Sequence, residues 1–178
     1  MNLKRLLRQI HYWMSLAIFL PCGIIFMAGI FLMLKKEISW IQPPTVRGTI
    51  VQHMPDISYA QMLRVAQRHP EVGISNWSDI KKIDVRPDKG MAKLISKTGW
   101  ELQIDTANAE VLSVAYRRSD MIESIHDGSF FTGWMKLYIF LPTGIVLIFM
   151  WGTGIYLFLL PQLAKRKKSK KKKAKQKL

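Results

Sequence analysis

Two long stretches of the sequence are without charge: 23 residues from Tyr12 to Leu34 and 24 from Leu137 to Leu160. About 20 apolar residues, at 1.5 Å rise per residue, cross a hydrocarbon layer roughly 30 Å thick. The pattern therefore predicts transmembrane helices over 12–34 and 137–160. Between them the polarity alternates at shorter range. Ser58-Tyr59-Ala60-Gln61 carries the serine and glutamine of a capping box, and Tyr59, Met62, Leu63 and Ala66 fall on one face at helical spacing. Pro70 ends that helix after His69.

Beyond it the period drops to two. Ile83 and Val85 alternate with charged neighbours before the turn Pro87-Asp88-Lys89-Gly90. Met91 to Ser96 runs into Lys97-Thr98-Gly99, and Trp100, Leu102 and Ile104 then alternate with Glu101, Gln103 and Asp105. After Thr106-Ala107-Asn108-Ala109, Glu110 to Tyr116 is again strand-like. This spacing predicts an antiparallel meander with one apolar face covered by the helix from Ser58 to His69. Thr45 to Gln52 reads as a short extended strand, and Asp120 to His126 as a short helix with Gly128 on its C-terminal side. The expected fold class is membrane α+β: two transmembrane helices flanking a small domain of one helix on an antiparallel sheet.

Charge adds an orientation. All twelve acids lie between Glu37 and Asp127, and residues 35–136 hold fourteen Lys and Arg that nearly balance them. Lys4, Arg5 and Arg8 precede the first span, and ten Lys and Arg between Lys165 and Lys177 follow the second, with no acid in either flank. Basic flanks stay cytoplasmic. The expected order is a basic cytoplasmic N-terminus over 1–11, an external domain over 35–136, periplasmic in a bacterium, and a polybasic cytoplasmic tail over 161–178. Tyr12, Trp13, Trp40, Trp134 and Tyr138 fall at the expected interfaces, where amphipathic rings settle. The first apolar run is longer than the 7–15 residues of a signal peptide and lacks a small-residue cleavage site, so it reads as a retained anchor. The only cysteine, Cys22, lies inside that run, which leaves the external domain without a disulfide.

The two spans share a phrase. Ile18 to Ile24 reads IFLPCGI and Ile139 to Ile145 reads IFLPTGI. In antiparallel helices the repeat is inverted across the bilayer. Pro21 and Pro142 each remove a backbone donor, and Gly23, Gly144, Gly152 and Gly154 offer close approach. These six positions are read as membrane-packing residues, between the two helices or against a partner protein, including a second copy.

The chemistry is sparse. His53 and His69 are far apart in sequence, and even with Asp56 and Glu71 they lack the ligand spacing of a structural metal; they read as surface histidines. Asp79, Asp84 and Asp88 read as a solvated face. No nucleophile-elbow or serine–histidine–acid spacing occurs. In the tail, Lys165, Arg166, Lys167 and Lys168 start beside the membrane, where attraction to anionic lipid is worth roughly 1 kcal/mol per basic residue. A run of this kind is expected to be disordered and self-repelling, and it lacks the interleaved aromatics that would favour nucleic acid.

The layout resembles the PepSY-associated transmembrane proteins of bacteria, in their small two-helix form. Leu7-Arg8-Gln9-Ile10-His11-Tyr12-Trp13 is similar to the family's LRxxHxW-like opening, and Ile125 to Trp134, IHDGSFFTGW, to its entry into a later helix. WELQIDTANAEVLSV, Trp100 to Val114, is similar to the family's hxhxhDxxtGxvl hairpin, with Ala109 where glycine is usual. The resemblance implies a PepSY-like periplasmic domain and a non-catalytic accessory or regulatory role at the inner membrane, docking an envelope or membrane partner. It also implies two alternatives. One is haem-dependent electron transfer in ferric-siderophore reduction and iron uptake, with His11 and His126 as ligands of haem b; the other is a peptidase-inhibitor-like module. On the expected topology His11 and His126 stand on opposite sides of a core roughly 30 Å thick, so haem would require a partner protein.

Overall fold

A computed structural model describes residues 3–51 and 57–175. Gln52, His53 and Asp56 lie outside the described residues. The chain divides into two compact units, Ala28–Ser124 and Met1–Met27 with Ile125–Leu178.

The first unit holds the sheet. Its strands are β1 (Ile80–Arg86), β2 (Met91–Ser96), β3 (Trp100–Asp105) and β4 (Val111–Tyr116), in that spatial order and antiparallel throughout. Tight turns make the order sequential: Gly90 has φ 63° and Gly99 φ 91°, values that suit glycine because it has no Cβ to clash. Ala109 also takes a positive φ, 62°, in the turn between β3 and β4. One face, built on Ala92, Leu94, Leu102 and Ile104, packs against Met62 and Ala66 of the helix α2 (Tyr59–Gln67) and against Val72 and Ile74. The expected capping box is present: Ser58 Oγ accepts from the Gln61 amide, and Gln61 Oε1 accepts from the Ser58 amide.

The alternate residues of β2 and β3 are buried as well. Lys93 and Glu101 are each 1 % exposed and Gln103 is 0 %. The segment from Pro44 to Thr49 lies across this second face, and it is not the expected strand: the described part, 45–51, has no ladder partner. Its backbone is held by one backbone bond, from the Gly48 amide to the Lys89 carbonyl at 2.9 Å, and otherwise by side chains. The Gln103 amide donates to the Pro44 carbonyl at 2.8 Å and accepts from the Val46 amide at 2.8 Å. Asp105 Oδ2 accepts from the Thr49 amide at 2.7 Å, while Oδ1 accepts from Ala107 and closes the β3–β4 turn.

The second unit holds most of two long helices. The helix α1 (Leu3–Met33) takes Pro21 within it. The short helix α3 (Ser119–Asp127) ends at Gly128, φ 80°, as expected for its C-terminal side. A single helical turn, α4 (Gly133–Met135), and a wide π-helical turn, Lys136–Phe140, then lead into α5 (Leu141–Lys175). The two IFLP-x-GI copies thus differ in backbone. A proline ring crowds the carbonyl four residues back. At Pro142 the preceding wide turn absorbs this, with the Leu141 amide reaching the Lys136 carbonyl and Thr143 Oγ1 donating to Ile139 O at 2.7 Å.

Arg5–Met33 and Gly133–Leu163 are long and apolar enough to cross a membrane. Their large apolar side chains are turned outward; Phe19 is 75 % and Ile148 72 % exposed. A soluble core helix would bury them, and lipid is the solvent that such surfaces fit. The tail departs from expectation. Instead of a disordered run, α5 continues to Lys175, because lysine and alanine are adequate helix formers once a helix is nucleated and cations suit its C-terminal end.

Candidate functional site

The polar face of the sheet centres on Glu101. Strand β3 carries its carboxylate to the middle of the sheet, where Oε1 accepts from Lys93 Nζ at 2.7 Å and from Gln103 Nε2 at 2.9 Å. The other oxygen accepts from Arg117 Nη1 at 2.8 Å. Arg117, just past β4, also donates through Nε to Asp120 Oδ1 at 2.5 Å, and Asp120 Oδ2 accepts from Lys81 Nζ at 2.7 Å. Five charged groups from β1, β2, β3, the end of β4 and α3 form one continuous series of ion pairs. Burial of Arg117 works against its charge, yet the Asp120 and Glu101 carboxylates outweigh that and hold its pKa above the ordinary value. Burial likewise pushes the Asp120 carboxyl up, but Arg117 and Lys81 overcome it and the net shift is downward.

Where this series reaches the surface there is an open cavity of about 260 Å³. Lys81, Lys97, Arg117 and Asp120 supply its charge, and Tyr116 and Met121 its apolar wall. Sequence reasoning missed both network and cavity. The signal was there, a lysine in β2 and an E-x-Q-x-D run in β3, but only the pairing of Lys93 opposite Gln103 and Ile95 opposite Glu101 brings these groups together.

The predicted ligand histidines lie in the other unit. His11 is inside α1, not before the helix as its place in the charge pattern suggested, because α1 begins at Leu3. Its Nδ1 lies 3.2 Å from Thr153 Oγ1. That hydroxyl also sits 3.1 Å from the carbonyls of Phe149 and Met150. His126 Nδ1 lies 2.9 Å from the Ile25 carbonyl and must be the donor there. Each ring is left with Nε2 as the nitrogen that a metal would need. The positions of the two rings along α1, His11 itself and Ile25 beside His126, are fourteen residues apart, about 21 Å at 1.5 Å per residue. One copy of this protein does not bring both rings to one iron, so a haem held by both does not fit within it.

Asp127 and Lys136 close the entry to α5 with a salt bridge, and Ser129 also donates to Asp127. Desolvation raises the Asp127 carboxyl, but the Lys136 ammonium and the Ser129 hydroxyl and amide outweigh it and bring it down to about 2.

Of the glycines read as packing residues, Gly154 has a contact of this kind: a Cβ there would meet the His11 ring at 3.8 Å. A Cβ at Gly23, Gly144 or Gly152 would enter open space, so these three do not set close approach between the two helices. Pro21 is half-buried and Pro142 exposed. An apolar groove of about 260 Å³ lies beside Gly23, between Ser15, Ile18 and Phe26 on one helix and Leu147 and Met150 on the other. Lys165 and Arg166 are exposed; the side chains of Lys167 and Lys168 lie outside the described residues. Asp79, read as a solvated acid, caps a turn by accepting from the Ser75 and Asn76 amides, which lowers its pKa. His69 Nδ1 meets Glu71 at 3.0 Å on the surface. No cluster of three or more metal-ligating side chains occurs among the described residues.

Comparison with known protein families, with curated proteins and with solved structures finds no match to this protein.

Proposed function

We propose that this is a two-pass protein of the bacterial inner membrane, with both termini cytoplasmic and a PepSY-like domain in the periplasm. Its role is that of a non-catalytic accessory or regulatory subunit whose external domain engages an envelope or membrane partner. The observation that carries this reading is the contrast between the parts of the molecule. Two long helices turn apolar side chains outward, as lipid-facing anchors do, while the domain between them closes both faces of its sheet with its own segments. A domain that is closed inside works through its surface. The charge pattern supplies the orientation, since thirteen of the fifteen net positive charges flank the two helices.

A topology reporter tests the layout. Alkaline phosphatase fused after Asp105 is active if the domain is exported, and activity of a cytoplasmic reporter at the same site would overturn the reading. The iron-uptake alternative is separated by spectroscopy of the protein purified in mild detergent. A colourless preparation agrees with the accessory role; a Soret band lost in His11→Ala or His126→Ala would replace it with redox chemistry completed by a second protein.

A further inference from the structure

We propose that the cavity at the β2–β3 turn binds a carboxylate attached to a small apolar group, as found in a free N-acylated amino acid or at the C-terminus of a peptide. This inference concerns the sheet domain alone and stands or falls apart from the membrane orientation. The cavity, about 260 Å³, is of a size for one or two residues. Its charged lining is three cations, Lys81, Lys97 and Arg117, against the single acid Asp120. That acid is already neutralised, since it accepts from Arg117 at 2.5 Å and from Lys81 at 2.7 Å. Arg117 is fixed from behind by Glu101, so its guanidinium is preorganised rather than mobile.

Donor capacity remains on the cations of the lining. An ammonium has three protons and a guanidinium five N–H groups. Lys81 uses one of its protons on Asp120, and Arg117 uses Nε and one Nη1 proton within the network. Lys97 is exposed on the turn and lines the same cavity. The hydroxyls at the turn do not compete for these donors, because Ser96 Oγ and Thr98 Oγ1 satisfy each other, the Thr98 amide and the Val72 carbonyl. The lining also includes Tyr116, whose ring stands edge-on to Trp100, and Met121. A lining that combines cations with apolar side chains selects an anion that carries a hydrophobic group, and a planar carboxylate suits the guanidinium fork.

The test is isothermal titration of the full-length protein in detergent with N-acetyl-leucine, N-acetyl-leucine amide, the peptide N-acetyl-Ala-Leu with a free C-terminus, and inorganic phosphate. Saturable binding of the free acids and none of the amide is expected, with Lys97→Gln weakening it about tenfold, the scale of one charge-assisted hydrogen bond. Lys81→Gln serves as the second variant and is expected to weaken the same acids; circular dichroism checks that both remain folded. Tighter binding of the peptide than of N-acetyl-leucine identifies a peptide C-terminus as the source, and the reverse order a free small carboxylate. The proposal is overturned if no free acid binds, if the amide binds as well as the acid, if phosphate binds more tightly than either acid, or if both lysine variants bind like the parent.

Discussion

Replacing Glu101 with leucine removes the acceptor on which the buried network converges. Three donors lose their partner at once: Lys93 Nζ, Gln103 Nε2 and Arg117 Nη1. Arg117 keeps Asp120, and Gln103 keeps the Pro44 carbonyl. Lys93 has no other acceptor among the described residues and is 1 % exposed, so its ammonium is stranded. Breaking a buried pair in this way costs about 3–5 kcal/mol. The apolar leucine returns roughly 1 kcal/mol of burial, leaving a loss of about 2–4 kcal/mol. Lys93→Met is different in kind, because Glu101 still holds Arg117 and Gln103; its cost is about 1–2 kcal/mol. In the double variant no charge is stranded. It should therefore be more stable than Glu101→Leu alone, with a coupling of about 1–3 kcal/mol. Hydrogen exchange of the β2 and β3 amides in the full-length protein reads these differences locally. A Glu101→Leu loss below about 1 kcal/mol, or a Lys93→Met loss larger than that of Glu101→Leu, would refute the assignment of Glu101 as the hub.

Two further outcomes follow from the same face. A Cβ at Gly48 would overlap the Gly90 carbonyl oxygen and crowd Asp105 Oδ2. Gly48→Ala is therefore expected to lift the Pro44–Thr49 segment and cost about 1–3 kcal/mol, seen as faster exchange at the Val46 and Thr49 amides; unchanged protection there would contradict the docking of this segment. Asp120 has a depressed pKa, so its stabilising contribution is complete above its ordinary value of 3.8 and is lost as pH falls through the lower folded-state value. Asp120→Asn should remove that part of the acid sensitivity below about pH 4, and parallel pH–stability curves for parent and variant would show that the ion pair carries none of it.

Much of the architecture was readable from local pattern. The uncharged runs predicted the two long helices, the S-x-x-Q phrase predicted the start of α2, and period-two alternation with Gly90 and Gly99 predicted the meander. Each of these signals acts through neighbours a few residues away, so the sequence alone determined them. Other features depended on contacts between distant residues. The alternation E-x-Q-x-D marks one face of β3 as polar, but that this face is buried follows only from Pro44–Thr49, 56 to 59 residues earlier, folding across it. The two IFLP-x-GI phrases are nearly identical, yet one sits in regular helix and the other begins inside a wide turn, a difference not contained in the phrase. His11 and His126 are conspicuous in sequence, and the structure gives each a separate partner on another helix. The groups that do converge, Lys81, Lys93, Glu101, Arg117 and Asp120, form no motif along the sequence. Antiparallel register and the return of α3 bring them together, because charge pairs in a sheet are set by which residues face each other across strands and not by their order in sequence.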